Sequence, residues 1–224
     1  MQILSKRLTV IAEKIPLGDN ICDVGCDHAY LSAYLAESGK YGKITATDIN
    51  EKPLENARKT LAARGIEDIN LILCNGLEKV TRDMADTVII AGMGGEVISG
   101  IMDRCAFLKN NVTLILQPMT GADFLRRYLS ENGYEICDET CLSENNKIYS
   151  VIKAKYSGKV LPCTPVFAVV GKIDAKDILG RKYIEKQYKI CEKALNKLKN
   201  AKNKTAEYEH FANLSSNLKN ILEE

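Results

Sequence analysis

Two carboxylates flank a glycine near the start of the chain. Asp23 lies in a short apolar run, Gly25 follows it, and Asp27 stands where a helix should begin and would cap its first turn. The missing side chain of Gly25 lets a ligand approach the backbone. Two carboxylates would repel a pyrophosphate, and the sequence has no Gly-x-x-x-x-Gly-Lys-Ser/Thr phosphate loop. The stretch therefore favours a ligand with a positive or hydroxyl-rich part.

A third carboxylate, Asp48, ends the next apolar run, residues 44–49. Its separation from Gly25 is close to the distance in sequence between the glycine turn and the ribose-binding acid of Rossmann-like sheets. A carboxylate in that place can accept hydrogen bonds from both ribose hydroxyls. S-adenosylmethionine combines a ribose with a sulfonium and an amino group, so it suits all three acids. The alternative for the first stretch is an ordinary strand-to-helix turn with an acidic cap.

The elements that would position these acids alternate between strand and helix. Because such alternation needs crossover helices, it predicts an α/β fold with a mostly parallel sheet and right-handed connections. Two further runs follow without a helix between them, which predicts an antiparallel pair at the sheet edge. The predicted strands are residues 20–24, 44–49, 69–74, 87–91, 112–116, 134–140 and 147–155, and the predicted helices are residues 3–14, 27–38, 51–64, 96–105 and 123–131.

The pattern changes after a loop-like stretch at residues 159–171. Apolar residues then recur at alternating spacings of four and three in two segments, which predicts two helices folded into an antiparallel coiled-coil hairpin. The predicted division is a catalytic domain over residues 1–160 and a helical domain over 171–224, with residues 200–205 joining the two helices. The alternative is a pair of helices packed on the main domain. The repeating positions are Ile184, Tyr188, Cys191, Leu195 and Leu198 in one helix and Phe211, Leu214, Leu218 and Ile221 in the other.

Charge is distributed unevenly along the chain. Residues 171–204 hold 11 Lys and Arg against four acids, whereas residues 1–170 hold 19 basic and 21 acidic residues. A near-neutral body with a basic extension fits a polyanionic partner. A solvated helix face is the alternative meaning of the lysines.

Composition excludes several classes of protein. The 224 residues are 46% hydrophobic and 27% charged, as in a soluble globular protein, and no apolar run is long enough for a membrane span. The N-terminus lacks the apolar core of a signal peptide, so we expect a cytoplasmic protein. The eight cysteines are scattered without a Cys-x-x-Cys pair, and there are two histidines. These features favour reduced thiols and argue against a metal site.

The ordered set of motifs resembles a known family. Asp23-x-Gly25, Asp48 and Asn75-Gly76 resemble the cofactor motifs of Rossmann-like S-adenosylmethionine methyltransferases. More narrowly, residues 23–31, 91–95, 116–118 and 147–149 resemble the bacterial tRNA adenine-N1 methyltransferases that act on adenosine 22. The resemblance runs from near the start of the chain through the hairpin. Cys26 stands where the family usually has a small residue, and Asn75 stands where an Asp is common.

The resemblance implies a fold and a reaction. The fold is a Rossmann-like class I methyltransferase domain with a seven-stranded, mostly parallel sheet, followed by the hairpin. The reaction moves a methyl group from S-adenosylmethionine to adenine N1 in tRNA, with neither metal nor membrane involved and with the hairpin binding RNA. The resemblance implies cofactor contacts from Asp23, Gly25, Asp27, His28, Asp48, Asn75, Gly76 and Gly92, and places Met93, Gly94 and Gln117 beside the target base.

Two other classes of function remain as alternatives. A Rossmann-like oxidoreductase would bind a dinucleotide, but Cys26 and Asp27 replace the later glycines of its Gly-x-Gly-x-x-Gly motif. A non-catalytic RNA-binding protein would use only the basic hairpin, which leaves the acid–glycine–acid stretch unexplained.

Overall fold

The computed structural model describes residues 4–198 and 206–224. These residues contain seven strands and eight α-helices, joined by loops. The strands are β1 Ile21–Val24, β2 Ile44–Asp48, β3 Ile69–Leu73, β4 Thr87–Gly94, β5 Thr113–Thr120, β6 Tyr134–Glu144 and β7 Lys147–Tyr156. The helices are α1 Lys6–Glu13, α2 Tyr30–Ser38, α3 Glu51–Ala62, α4 Gly95–Asp103, α5 Ala122–Glu131, α6 Pro165–Val170, α7 Ile178–Leu198 and α8 Ala206–Glu223.

The strands form one sheet in the order β3-β2-β1-β4-β5-β7-β6. Strands β1 to β5 are parallel, and β7 is antiparallel to both β5 and β6. The predicted α/β class, the seven strands and the antiparallel edge pair are therefore confirmed. The strand order reverses between β1 and β4, and in open α/β sheets the crevice at that point, beyond the carboxyl ends of the strands, is where ligands bind.

Both faces of the central strands are covered. Val88 and Ile90 of β4 face one apolar cluster, which includes residues of α4 and α5, while Ile89 faces a second cluster with residues of α1 and α2. All three side chains are fully buried. Burial on both faces explains why this strand reads as a continuous apolar run rather than an alternating one.

Strand β4 is longer than the sequence predicts. The glycine-rich stretch expected to be a loop continues the strand to Gly94, and β5 likewise continues to Thr120. The pairing of the two strands shifts in register on either side of Met93 and then continues, with Met93 opposite Pro118 and Gly94 opposite Thr120. Bulges of this kind re-aim side chains next to functional sites.

The start of the first crossover helix also differs from the prediction. Helix α2 begins at Tyr30, and Asp27 and Ala29 have φ values of 49° and 53°. Ala29, which has no capping side chain, occupies the position before the helix. The prediction that Asp27 caps this helix is therefore wrong, because the left-handed residues delay the first helical turn.

The C-terminal helices pack on each other and on the edge of the sheet. Tyr183 and Ile184 of α7 and Leu218 of α8 share an apolar cluster with Cys141 of β6. The segment joining the two helices lies outside the described residues.

Short helix α6 lies in a stretch predicted to be a loop. It is capped by Thr164, whose hydroxyl accepts a hydrogen bond of 3.1 Å from the backbone N–H of Phe167. Within the described ranges, no helix is long and apolar enough to cross a membrane.

A buried ion pair joins helices α6 and α7 to α5 and the edge of the sheet. Arg126 of α5 and Glu139 of β6 have fully buried side chains, and the Arg126 Nη2 donates to Glu139 Oε1 at 2.7 Å. The Arg126 Nη1 donates to the backbone carbonyls of Ala168 and Val169 at 2.8 and 2.7 Å. Its Nη2 also donates to the Tyr183 hydroxyl at 3.2 Å. Four elements, α5, β6, α6 and α7, therefore meet at one guanidinium.

Removing one partner of this pair should destabilise the protein strongly. Arg126→Met leaves the Glu139 carboxylate buried without its cation, so we expect a loss of about 3–5 kcal/mol in the free energy of unfolding. The double variant Arg126→Met/Glu139→Leu should lose less than either single variant, because no buried charge is left over. Urea unfolding measures all three.

The control is Arg58→Ala, which removes an exposed ion pair with Glu51. That change should cost under about 1 kcal/mol. Single-variant losses that simply add in the double variant would show that Arg126 and Glu139 act independently.

Candidate functional site

A pocket of about 250 Å³ opens at the carboxyl ends of β1 and β4, where the strand order reverses. It brings together five of the residues that the sequence singles out, and it adds side chains from α1 and α2. The predicted residues that line it are Asp23, Gly25, Asp27, His28 and Gly92, and the added ones include Arg7, Leu8 and Tyr30.

Asp23 is a buried carboxyl group at the base of this pocket. Its one hydrogen bond among the described side chains is accepted from the Ser32 hydroxyl, at 2.7 Å. Burial raises the pKa of Asp23 from 3.8 to about 6, the Ser32 hydrogen bond opposes that rise, and the nearby Asp48 adds to it. Burial of an ionised carboxylate lowers the stability of the folded protein. A carboxylate kept in such a place is typical of a group that binds a positively charged ligand.

Asp48 ends β2 and is held by backbone N–H groups. Its Oδ1 accepts from the Asn50 N–H at 3.0 Å, and its Oδ2 accepts from the Asp27 N–H at 3.4 Å. The second bond ties the carboxylate to the turn after β1. Asp48 is 9% exposed and does not itself line the pocket, to which it is joined through Asp27.

The turn after β1 uses the conformational freedom of Gly25, which has a φ of 73°. Its N–H donates to the Thr47 carbonyl at 2.8 Å. A Cβ at this position would overlap the Met93 methyl group, so the glycine makes room for Met93 as well as for any ligand. The space beside Gly25, which the sequence predicts a ligand would use, is therefore also used by Met93 of β4.

His28 lies beside Asp27 at the mouth of the pocket. Its Nε2 is 3.7 Å from Asp27 Oδ1, and its ring stacks on Tyr30 with centroids 5.2 Å apart. Both rings are partly exposed, so they form a flat, polar surface at the entrance.

Gln117 is fully buried and links three segments beneath the pocket. Its Oε1 accepts from the Gly92 N–H at 3.2 Å and from Arg7 Nη1 at 3.1 Å. Its Nε2 donates to the Pro118 carbonyl at 2.9 Å. Every polar atom of this amide is therefore engaged within the protein, and its contacts join Arg7 to the end of β4.

Arg7 is the pocket residue that the sequence reasoning missed. Its Nε is buried and has no hydrogen-bond partner within the described part of the chain, the nearest Glu144 oxygen lying 3.5 Å away. Gly92 leaves space for the guanidinium, since a Cβ there would lie 3.0 Å from Arg7 Nη1. One arginine on an amphipathic helix far from the motifs carries no sequence signal.

Six predicted residues are not among those that line this pocket: Asp48, Met93 and Gln117, described above, and Asn75, Gly76 and Gly94. Asn75 is exposed and accepts from Arg104 Nη2 at 3.4 Å. Gly76 is buried, and its carbonyl accepts from the Thr47 hydroxyl at 3.0 Å. Gly94 lies beside β5. The side chains in the described ranges include no group of three or more His, Cys, Asp or Glu residues placed to hold a metal ion.

The chain matches a family described as a methyltransferase domain over residues 4–152. It is 36% identical over 154 residues to the tRNA (adenine(22)-N(1))-methyltransferase of Bacillus subtilis strain 168. That alignment covers 68% of this chain and 65% of the relative, so it spans just under two thirds of the relative's length.

Solved structures resemble the whole fold. The crystal structure of Streptococcus pneumoniae Sp1610 in complex with S-adenosyl-L-methionine has a TM-score of 0.83 and 30% identity, covering 98% of this chain and 100% of that one. The structure of M. capricolum TrmK in complex with S-adenosyl-homocysteine has a TM-score of 0.81 and 28% identity, with 99% of each chain covered. Both comparisons extend through the C-terminal helices.

The raised pKa of Asp23 predicts how stability changes with pH. The protonated carboxyl favours the folded state, so its contribution is complete below about pH 3.8 and is lost as pH rises through about 6. Asp23→Asn removes the charge and keeps an acceptor for Ser32. We expect it to raise the free energy of unfolding at pH 7.5 by up to about 3 kcal/mol, with a smaller gain at pH 4.5.

Urea unfolding across this pH range measures the effect. Asp27→Asn is the control, because it removes an exposed carboxylate from the same turn and Asn tolerates the left-handed conformation. An Asp23→Asn variant with the same stability difference at both pH values would contradict the prediction.

Proposed function

The chain belongs to the family of bacterial tRNA (adenine(22)-N(1))-methyltransferases, and we propose that it transfers a methyl group from S-adenosylmethionine to N1 of adenosine 22 in tRNA. The observation that carries the proposal is the pocket at the ends of β1 and β4. There, buried Asp23 and the Arg7 guanidinium line one pocket with Gly25, and the Arg7 Nε has no hydrogen-bond partner among the described residues, although it lies 3.5 Å from a Glu144 oxygen.

The residues of the pocket fit the charges of this cofactor. Asp23 suits the ammonium group of the methionine part, because an opposite charge would offset the cost of burying the carboxylate. Arg7 suits the carboxylate of the same part, since guanidinium pairs well with carboxylates. Asp48, held by two backbone N–H groups, suits the ribose hydroxyls. When bound, S-adenosylmethionine supplies an electrophilic methyl group on its sulfonium.

The protein's own contribution to the reaction is alignment. Adenine N1 carries a free lone pair at neutral pH, so no side chain has to remove a proton before attack. The end of β4, with Met93 and Gly94, is where we place the target base, and Gln117 holds that end through Gly92. Orientation of two reactants is a sufficient source of rate enhancement for such a step.

The target nucleotide must be unpaired or turned out of its helix, because N1 lies on the Watson–Crick edge. Recognition of the surrounding tRNA therefore depends on shape and on the phosphate backbone. We propose that the basic hairpin, residues 171–224, supplies part of that contact and acts in the cytoplasm, where tRNA is modified. Asn75 and Gly76 remain proposed contacts at the adenine end of the cofactor.

The proposal is tested by incubating the protein with labelled S-adenosylmethionine and unmodified tRNA, then mapping the labelled nucleoside. We expect 1-methyladenosine at position 22. A tRNA with guanosine at that position is the control for the substrate. Label at another nucleotide, or none with a protein that binds the cofactor, would refute the proposed specificity.

The variant Asp48→Ala tests the proposed contact with the ribose hydroxyls. It should weaken binding of S-adenosylhomocysteine by roughly 1.5–3 kcal/mol in calorimetry, because a charged hydrogen-bond partner is lost. Unchanged affinity in a folded variant would remove Asp48 from the site.

A separate prediction concerns Arg7. If it pairs with the cofactor's carboxylate, Arg7→Met should weaken binding of S-adenosylhomocysteine about tenfold or more. The same variant should bind 5′-methylthioadenosine, which lacks the amino acid part, as the parent does. Lys6→Met, a change at an exposed neighbour, is the control. Equal losses for both ligands in calorimetry would show that Arg7 acts only by supporting the fold.

A further inference from the structure

A second and larger cavity, of about 450 Å³, is lined in part by the residues that directly follow Gln117 in β5. One wall is the end of β5 and the start of α5, with Met119 and Thr120, and the start of β7 contributes Tyr149. The opposite wall is the hairpin, where α7 contributes Lys186 and α8 contributes Phe211. We name this cavity the inter-domain groove.

The inter-domain groove combines flat apolar surfaces with positive charge. Tyr149 and Phe211 are half-buried, and His210 packs edge-on against Phe211 with ring centroids 5.4 Å apart. Arg127 and Lys186 are exposed at its rim. Aromatic faces for bases and cations for phosphates are the features with which proteins bind single-stranded nucleic acid.

The groove is continuous with the proposed position of the target base. Gly94 of β4 is paired with Thr120 of β5, and Thr120 lines the groove. Pro118, which also lines it, follows Gln117 directly. The end of β4, where we place the target base, is therefore next to the lining of the groove.

We propose that the inter-domain groove binds an unpaired nucleotide next to the target adenosine, with its base against the aromatic side chains and its phosphate near Lys186. This inference rests on the proposed function and deepens it, because it makes the groove a determinant of which RNA is accepted. The volume is within the range of small-ligand pockets, about 300–1,000 Å³. Among the described residues that line the groove, Asp123 is the acidic one and Arg127 and Lys186 are basic, so the balance of charge favours an anion.

The groove predicts different effects for two lysines on one helix. Lys186 lines the groove, whereas Lys189, also exposed on α7, does not. Lys186→Gln and Lys189→Gln remove the same charge from the same helix. We expect Lys186→Gln to raise the Kd for unmodified tRNA several-fold and to reduce the slope of log K against log salt by about 0.7, the value for one phosphate of a single strand. Lys189→Gln should change both quantities less.

A second measurement reports on the base itself. Replacing each neighbour of adenosine 22 in turn with 2-aminopurine should show quenched fluorescence for one of them when the protein binds, because stacking on an aromatic ring quenches that base. Tyr149→Leu should abolish the quenching, and Tyr149→Phe should retain it. Binding of S-adenosylhomocysteine should be unchanged in all four variants.

The outcomes separate the groove from the reaction. Equal losses in the two lysine variants, or quenching that survives Tyr149→Leu, would overturn the groove as a nucleotide site while leaving methylation of adenosine 22 intact. Absence of methylation by the parent protein would instead refute the proposed function.

Discussion

The buried pair of Arg126 and Glu139 determines how the two parts of the chain meet. Two charges removed from water are tolerable only when their hydrogen-bonding groups are satisfied, and this requirement fixes the positions of their partners. The guanidinium satisfies it with Glu139, two carbonyls of α6 and the Tyr183 hydroxyl of α7. A purely apolar contact would tolerate sliding, whereas this arrangement specifies where α7 lies against β6. The shape of the inter-domain groove follows from that placement.

Glu139 extends the same constraint into the chain after α6. It accepts a hydrogen bond from the Lys172 N–H at 3.2 Å, and a Cβ at Gly171 would overlap its carboxylate. The turn that starts the hairpin is therefore built against the ion pair. Although the hairpin follows the heptad-like spacing of an independent coiled coil, its first helix is tied to the sheet by polar contacts that a heptad pattern does not reveal.

How far the sequence could predict this structure depends on how far apart in the chain the residues of each contact are. The strand–helix alternation, the antiparallel edge pair and the position of Asp48 follow from local patterns, and the structure contains all of them. The length of β4 did not follow, because its extension past Gly92 depends on pairing with β5 across irregularities at Met93. Arg7 was missed for the same reason, since its partner Gln117 is 110 residues away. Local sequence carries no trace of either contact.

The proposed chemistry explains why the site left a weak trace beyond the acids. A displacement at a methyl group by a lone pair needs alignment more than proton transfer, so it requires no nucleophile–base pair whose spacing could be read in the sequence. We propose that alignment comes instead from residues such as Gln117, whose buried amide joins Arg7 to Gly92 at the end of β4. The same side chain is hydrogen-bonded to Gly92, which lines the cofactor pocket, and to Pro118, which lines the inter-domain groove. We infer that Gln117 keeps the two ligand sites in register: a movement of either wall would break a hydrogen bond that its buried amide cannot replace with water.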